Sequence, residues 1–245
     1  MPDLNGRIAV VTGASRGIGY HTALELAKAG AHVVAVARTT GGLEELDDEI
    51  QAAGGAATLV PMDLTAMDAI DRLGAAIFER WGTLDIFVAN AGILGVISPV
   101  GHIEAKVFEQ VMNVNVTATW RMIRTLEPLL AKSDQGRALL LSSGVANSCK
   151  PFWSAYAASK AAVECIGRVW AAETQRLPLR VVNVNPGATR TRMRAQAMPG
   201  EDPETLPHPS DVARKLVTLC GPELTTTGLL YDFRQDRMLS YHAPD

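Results

Sequence analysis

The chain has 245 residues, 47% hydrophobic and 20% charged, which is enough for one large α/β domain with a sizeable core and too apolar for a disordered chain. Its 23 Lys and Arg against 26 Asp and Glu leave a net charge of −3 with no like-charge block, which excludes the basic surface that nucleic acid or an anionic membrane would require. Cys149, Cys165 and Cys220 lack metal or disulfide spacing, and no stretch approaches about 18 apolar residues or resembles a leader, so the expected compartment is a reducing cytoplasm.

Residues 7–12 contain Ile8-Ala9-Val10-Val11, the pattern of a strand buried on both faces. The chain then enters Thr12-Gly13-Ala14-Ser15-Arg16-Gly17-Ile18-Gly19 and an alanine- and leucine-rich helix over 20–29 that Gly30 stops. Strand, glycine loop and helix in this order make a phosphate-binding turn, because glycines let the backbone approach a ligand and the helix start offers free N–H groups. Gly13, Ser15, Arg16, Gly17, Ile18 and Gly19 are therefore expected cofactor contacts.

A second strand, 32–37, ends at Arg38, where dinucleotide sites carry either an acid for the adenosine ribose or an arginine for a 2′-phosphate. No acid occurs before Glu44, so Arg38 with Arg16 favours NADP(H) as cofactor, with NAD possible; the alternative is that both are ordinary solvated charges. A helix over 43–53 and a strand over 56–62 follow. Asp63, beside Leu64, either contacts the cofactor's adenine or caps the helix over 66–81, a task Thr65 suits equally. The strand 84–89 leads into Asn90-Ala91-Gly92, whose small residues leave room for a cofactor against the backbone.

A helical region over 104–130 carries Asn115, and Pro128 should bend or end it. A strand over 138–143, a helix over 156–177 and a strand over 179–185 come next, the last closed by Pro186-Gly187-Ala188-Thr189. Residues 188–209 form a substrate-covering loop, mobile over 199–209. Ser210 or Asp211 caps the last helix, 228–233 is the final strand, and 234–245 is a tail. This alternation requires a single domain over 1–245: an α/β, doubly wound, mostly parallel seven-stranded sheet with helices on both faces, a Rossmann-type three-layer α/β/α architecture.

On a helix, Tyr156 and Lys160 lie one turn apart on the same face. They make either a solvated surface pair or a phenol and an ammonium sharing a pocket. Bringing a tyrosine pKa from about 10 to near 7 needs about 4 kcal/mol of phenolate stabilisation, part of which a close lysine supplies where the dielectric is low. The second reading makes Tyr156 a general acid/base.

Taken together these motifs resemble the short-chain dehydrogenase/reductase family, in its single-domain branch of about 250 residues, over nearly the whole chain from Arg7 to Phe233. The family's T-G-x-x-x-G-x-G falls on Thr12, Gly13, Gly17 and Gly19. Its N-N-A-G appears as Ala89-Asn90-Ala91-Gly92, with one asparagine replaced. Its catalytic asparagine falls on Asn115, its serine on Ser143, its Y-x-x-x-K on Tyr156 and Lys160, and its P-G turn on Pro186-Gly187, with Thr189 and Thr191 following as cofactor contacts. The serine lies 13 residues before the tyrosine, which selects Ser143 over the adjacent Ser142; in a strand only one of the two faces the site.

The resemblance implies an NADP(H)-dependent oxidoreductase moving a hydride between cofactor and a carbonyl or secondary alcohol. Ser143 would hold the substrate oxygen and Tyr156 would protonate it. Lys160 would lower the tyrosine pKa and bind the nicotinamide ribose, and Asn115 would kink its helix and hold a water. The family's terminal paired glycines are missing here, which leaves open a homodimer or homotetramer; a dimer through the helices of Asn115 and Tyr156 is a family habit. Competing functions are a non-catalytic dinucleotide sensor and a nucleotide-sugar epimerase or dehydratase.

Cys149 is a packing residue or a reactive thiol, Trp153 a pocket wall or a cover for the helix start, and Met193 and Met198 lid or plain helix residues. The five histidines show no ligand spacing, so no metal is expected. Arg190, Arg192 and Arg194 hint at an anion-facing surface, with three solvated charges as the competing explanation.

Overall fold

The computed structural model describes residues 1–241. Strands β1 (Ile8–Thr12), β2 (His32–Ala37) and β3 (Ala56–Pro61) alternate with helices α1 (Gly17–Lys28), α2 (Thr40–Ala52) and α3 (Met67–Trp81). After β4 (Ile86–Ala89) the chain runs through α4 (Ala105–Met112), a π-helical turn (Asn113–Thr117) and α5 (Ala118–Leu130). Then come β5 (Gly136–Leu141), α6 (Val145–Ser148), α7 (Ser154–Glu173), β6 (Leu179–Asn185), α8 (Arg192–Ala197), α9 (Pro209–Thr218), β7 (Leu230–Asp232) and β8 (Arg237–Leu239).

The sheet order is β3-β2-β1-β4-β5-β6-β7-β8, and every pairing is parallel except the last. The expectation of seven strands is thus one short: β8, formed by the tail, pairs antiparallel with β7. A short apolar strand next to a turn is hard to separate from loop by composition, and Arg237-Met238-Leu239 gives little periodicity. Tyr241, in the same tail, has its hydroxyl hydrogen-bonded by Asn183 Nδ2 at 3.1 Å. His242 lies outside the described residues.

Alternate strand residues divide the core. Val11, Val33, Ala35, Val88, Leu139 and Val182 pack with α1, α2 and α9, while Val10, Val34, Phe87, Leu140 and Val181 pack with α3, α5 and α7. Both faces are therefore buried, which is why these strands read as continuous apolar runs.

The helical region over 104–130 is present, with the π turn as the local distortion around Asn115, and it ends at Leu130, just past Pro128. Two local expectations are corrected. The cap of α9 is His208, whose ring accepts from the Ser210 N–H, while Asp211 completes a reciprocal box by accepting from the His208 N–H at 3.1 Å. Neither Asp63 nor Thr65 caps α3, whose flanking residue is Ala66; Asp63 instead accepts from the Thr65 N–H and hydroxyl at 2.9 and 2.8 Å.

Candidate active site

The strand order reverses between β1 and β4, the place where open α/β sheets leave a crevice at the carboxyl ends of their strands. A cavity of about 680 Å³ lies there. Gly13 and Gly17 adopt φ +68° and +59°, left-handed conformations that glycine takes without strain. A Cβ on Gly13 would come within 2.8 Å of Asn90 Nδ2. The Thr12 hydroxyl accepts from the Asn90 and Ala91 N–H groups, both at 3.1 Å, and Asn90 Nδ2 donates to the carbonyls of Thr12 and Gly13 at 2.9 and 3.2 Å. These bonds stitch the glycine loop to the end of β4 and hold open a backbone cradle of the kind a dinucleotide pyrophosphate needs.

Of the expected contacts, Gly13, Ser15, Arg16, Gly17, Ile18, Arg38, Asp63, Leu64, Asn90, Ala91, Gly92, Tyr156, Lys160, Pro186 and Thr191 line this cavity. Gly19, Gly187 and Thr189 do not, and each has another task. A Cβ on Gly19 would lie 2.4 Å from the Gly13 carbonyl oxygen, so this glycine serves close packing of α1 on the loop. Gly187 donates its N–H to Asn185 Oδ1 at 3.1 Å, and Thr189 is buried with its hydroxyl donating to the Pro186 carbonyl at 3.2 Å; both shape the turn after β6. Arg16 and Arg38 are exposed and form no ion pair among the described residues.

The two serines are separated by their partners. Ser142 is buried and donates to Glu164 Oε1 at 2.5 Å, and Asn147 Nδ2 donates to the other carboxylate oxygen at 3.1 Å. Ser143 accepts from the Val145 N–H at 3.4 Å and lies close enough to the Tyr156 phenol to act on it, while Ser142 rather than Ser143 is among the residues lining the cavity. Burial pushes that phenol up to about 12, with the hydrogen bond to Ser143 pulling the other way. Lys160 is also buried, which brings its ammonium down to about 8 against the opposing charge of Glu164, and its Nζ donates to the Leu141 carbonyl at 2.7 Å. The Nζ lies 5.7 Å from the tyrosine ring centre. The phenol here is governed by desolvation, and the Lys160 ammonium is directed at the Leu141 carbonyl.

Asn115 is 1% exposed inside the π turn. Its Oδ1 accepts from the Ile93 N–H at 2.8 Å and its Nδ2 donates to the Ile93 carbonyl and Ser159 Oγ, both at 2.9 Å. Ser159 Oγ donates in turn to the Tyr156 carbonyl at 2.7 Å. Glycine at position 92 keeps the space between Asn115 and Lys160 clear, since a Cβ there would lie 3.3 Å from Asn115 Oδ1 and 3.5 Å from Lys160 Nζ. Ser159 and Glu164 are absent from the sequence expectations. Their spacing carried a signal, since Glu164 follows Lys160 by one helical turn and both residues sit on α7.

Trp153 is buried, its ring 6.2 Å from that of Tyr156 in an edge contact. Leu94 and Ala157 join them, with Val145, Met193, Ala197 and Met198 packed around, so the tyrosine meets an apolar wall. Cys149 is exposed and lines a separate groove with Phe152 and Ala158.

The sequence model for short chain dehydrogenase matches residues 7–202. The Escherichia coli K12 oxidoreductase YciK is 37% identical over 96% of this chain and 94% of its own. A solved Shigella flexneri short chain dehydrogenase complexed with NADP superposes with a TM-score of 0.91 at 38% identity, covering 95% of this chain and 99% of that one. An Escherichia coli CFT073 short chain dehydrogenase complexed with NADPH gives 0.89 at 38% identity over 94% and 98%. A loop cradle, a buried Tyr–Lys pair and likeness over the full sheet agree, and the chain belongs to the short-chain dehydrogenase family of oxidoreductases.

Proposed function

We propose that the protein is an NADP(H)-dependent oxidoreductase that interconverts a carbonyl and a secondary alcohol, with Tyr156 as the proton donor and acceptor. The observation that carries this is that Tyr156 and Lys160 line the same cavity as the glycine loop, with Ser143 beside the Tyr156 phenol. Two observations support NADP: Arg38 and Arg16 line the cavity and form no ion pair among the described residues, and two similar proteins were solved with NADP or NADPH. The bound cofactor supplies the hydride.

The chain's own residues supply the rest. Ser143 and the Tyr156 hydroxyl offer donors where negative charge develops on the substrate oxygen. A phenol held up near 12 remains protonated at neutral pH, the state a general acid needs for carbonyl reduction. Lys160 places positive charge beneath this pair, and Asn115 with Ser159 fixes α7 against the end of β4. The wall of Trp153, Met193 and Met198 excludes water and suits an apolar substrate body. Phe108, Trp120 and Val169 expose apolar surface on α4, α5 and α7, which supports a homodimer or homotetramer built on these helices.

The test is NADPH oxidation against a panel of ketones and aldehydes, with Tyr156→Phe alongside. The variant should lose about 10²- to 10⁴-fold in kcat while binding NADPH within a few fold. Near-normal turnover by the variant would remove Tyr156 from the chemistry, and tight NADPH binding without turnover on any member would favour the dinucleotide sensor.

A further inference from the structure

Three arginines alternate along residues 190–194, and their surroundings differ. Arg190 pairs with Glu204 at 2.8 Å, and Arg194 grips Glu201 through two hydrogen bonds at 2.5 and 2.6 Å. Arg192 forms no ion pair among the described residues and lines the cavity. The residue before it, Thr191, is packed on the phosphate loop: a Cβ at Gly17 would sit 3.5 Å from the Thr191 methyl. The residue before Gly17 is Arg16, which also lines the cavity without an ion pair among the described residues. Two guanidiniums without acid partners thus flank the point where the covering segment touches the glycine loop.

The two faces of α8 have different surroundings. Met193 and Ala197, with Met198, pack on the Trp153–Tyr156 cluster, so the side of α8 nearest the reacting end is apolar. Arg192 and Gln196, one turn apart, both line the cavity. A charge beside the glycine loop and an apolar wall beside the tyrosine match a ligand whose anionic part lies at the loop and whose reacting end lies at the phenol.

We propose that Arg192 is a pyrophosphate clasp, gripping, opposite Arg16, the phosphates that NADH and NADPH share. The inference rests on the dinucleotide reading given above and adds a residue to it. A guanidinium suits the task because its planar fork spans two phosphate oxygens at once, and the neighbouring carboxylates that would compete for it, Glu201 and Glu204, are already held by Arg194 and Arg190.

The test is ligand affinity, read from fluorescence or calorimetry, and needs no substrate. Arg192→Gln should weaken NADPH, NADH and ADP-ribose alike by about tenfold, since the amide keeps at most one of the fork's two hydrogen bonds, and weaken 2′,5′-ADP, which carries only the adenosine-side 5′-phosphate, by less. Arg192→Lys, which keeps the charge but not the fork, should recover only part of the affinity and fall between wild type and Arg192→Gln. Wild-type NADH affinity should also fall more steeply with added salt than that of Arg192→Gln. Unchanged NADH and ADP-ribose affinity in a variant that melts with the wild type would overturn the clasp, and so would a loss confined to NADPH and 2′,5′-ADP, which would place Arg192 on the 2′-phosphate. If the wild-type chain binds none of the four ligands, the dinucleotide reading itself fails, a result distinct from either.

Discussion

Gly19→Ala separates a glycine that touches ligand from one that only packs. Gly19 is the third residue of α1, where exchanging glycine for alanine normally stabilises a helix by about 1 kcal/mol. Here the new Cβ would stand 2.3 Å from Asn90 Nδ2 and 2.4 Å from the Gly13 carbonyl oxygen. The first atom is a short side chain already bonded to Thr12 and Gly13, and the second is backbone, so neither gives way freely. Losing those two hydrogen bonds costs about 1 kcal/mol each and overpacking adds about 1–3, so after the helix gain the net destabilisation is about 2–4 kcal/mol. Urea unfolding measures it, with an unchanged m-value as the control. In an Asn90→Ala background the cost should shrink but persist, because the Gly13 carbonyl remains. A variant as stable as the wild type, or more stable, would refute the packing argument and return Gly19 to the role of a ligand contact.

Two further outcomes concern titrating groups. Burial, helped by the nearby charge of His208, depresses the His21 pKa below its ordinary value, so its stabilising contribution is present above about pH 6.5 and fades as pH falls through the lower folded value. Stability should therefore drop between about pH 7.5 and about pH 5.5, and drop less in His21→Gln; parallel curves would dismiss the residue. Glu164 helps Lys160 keep its proton, so Glu164→Gln should move the alkaline loss of turnover below about pH 8, where Lys160 titrates. An alkaline limb in the same place would show that the carboxylate serves only Ser142 and Asn147.

Much of the fold was legible because its causes are local. Apolar runs such as Ile8-Ala9-Val10-Val11 report strands covered on both faces, and the order strand, glycine loop, helix names its own ligand geometry. Strand β8 escaped because three residues of mixed character carry no period, and the distortion at Asn115 came only from the family resemblance, since the residues Asn113-Val114-Asn115-Val116-Thr117 suit an ordinary helix. Within the site, counting from Tyr156 chose Ser143. Only in space does Glu164 appear as the partner of Ser142. Gly19 and Thr189 sit inside motifs, and only the structure shows what else they hold: Gly19 packs on Gly13 and Asn90, and Thr189 bonds the Pro186 carbonyl. The tyrosine pKa was the least legible quantity, since it depends on how deeply the ring is buried and where the lysine proton points.

The π turn also has a consequence for length. A π turn spends one residue more than an α turn, so the path from α4 to α5 holds a surplus residue that a straight helix of the same span would not need. Deleting Val114 would return the segment to a regular spiral with α4 and α5 kept in register, because the surplus residue is the one the π turn absorbs. What would be lost is the local widening that carries Asn115 against Ile93. The chain thus brings its asparagine into the site on an extra residue, and a one-residue deletion there should disturb the Asn115 contacts while leaving the buried face of α5 in place.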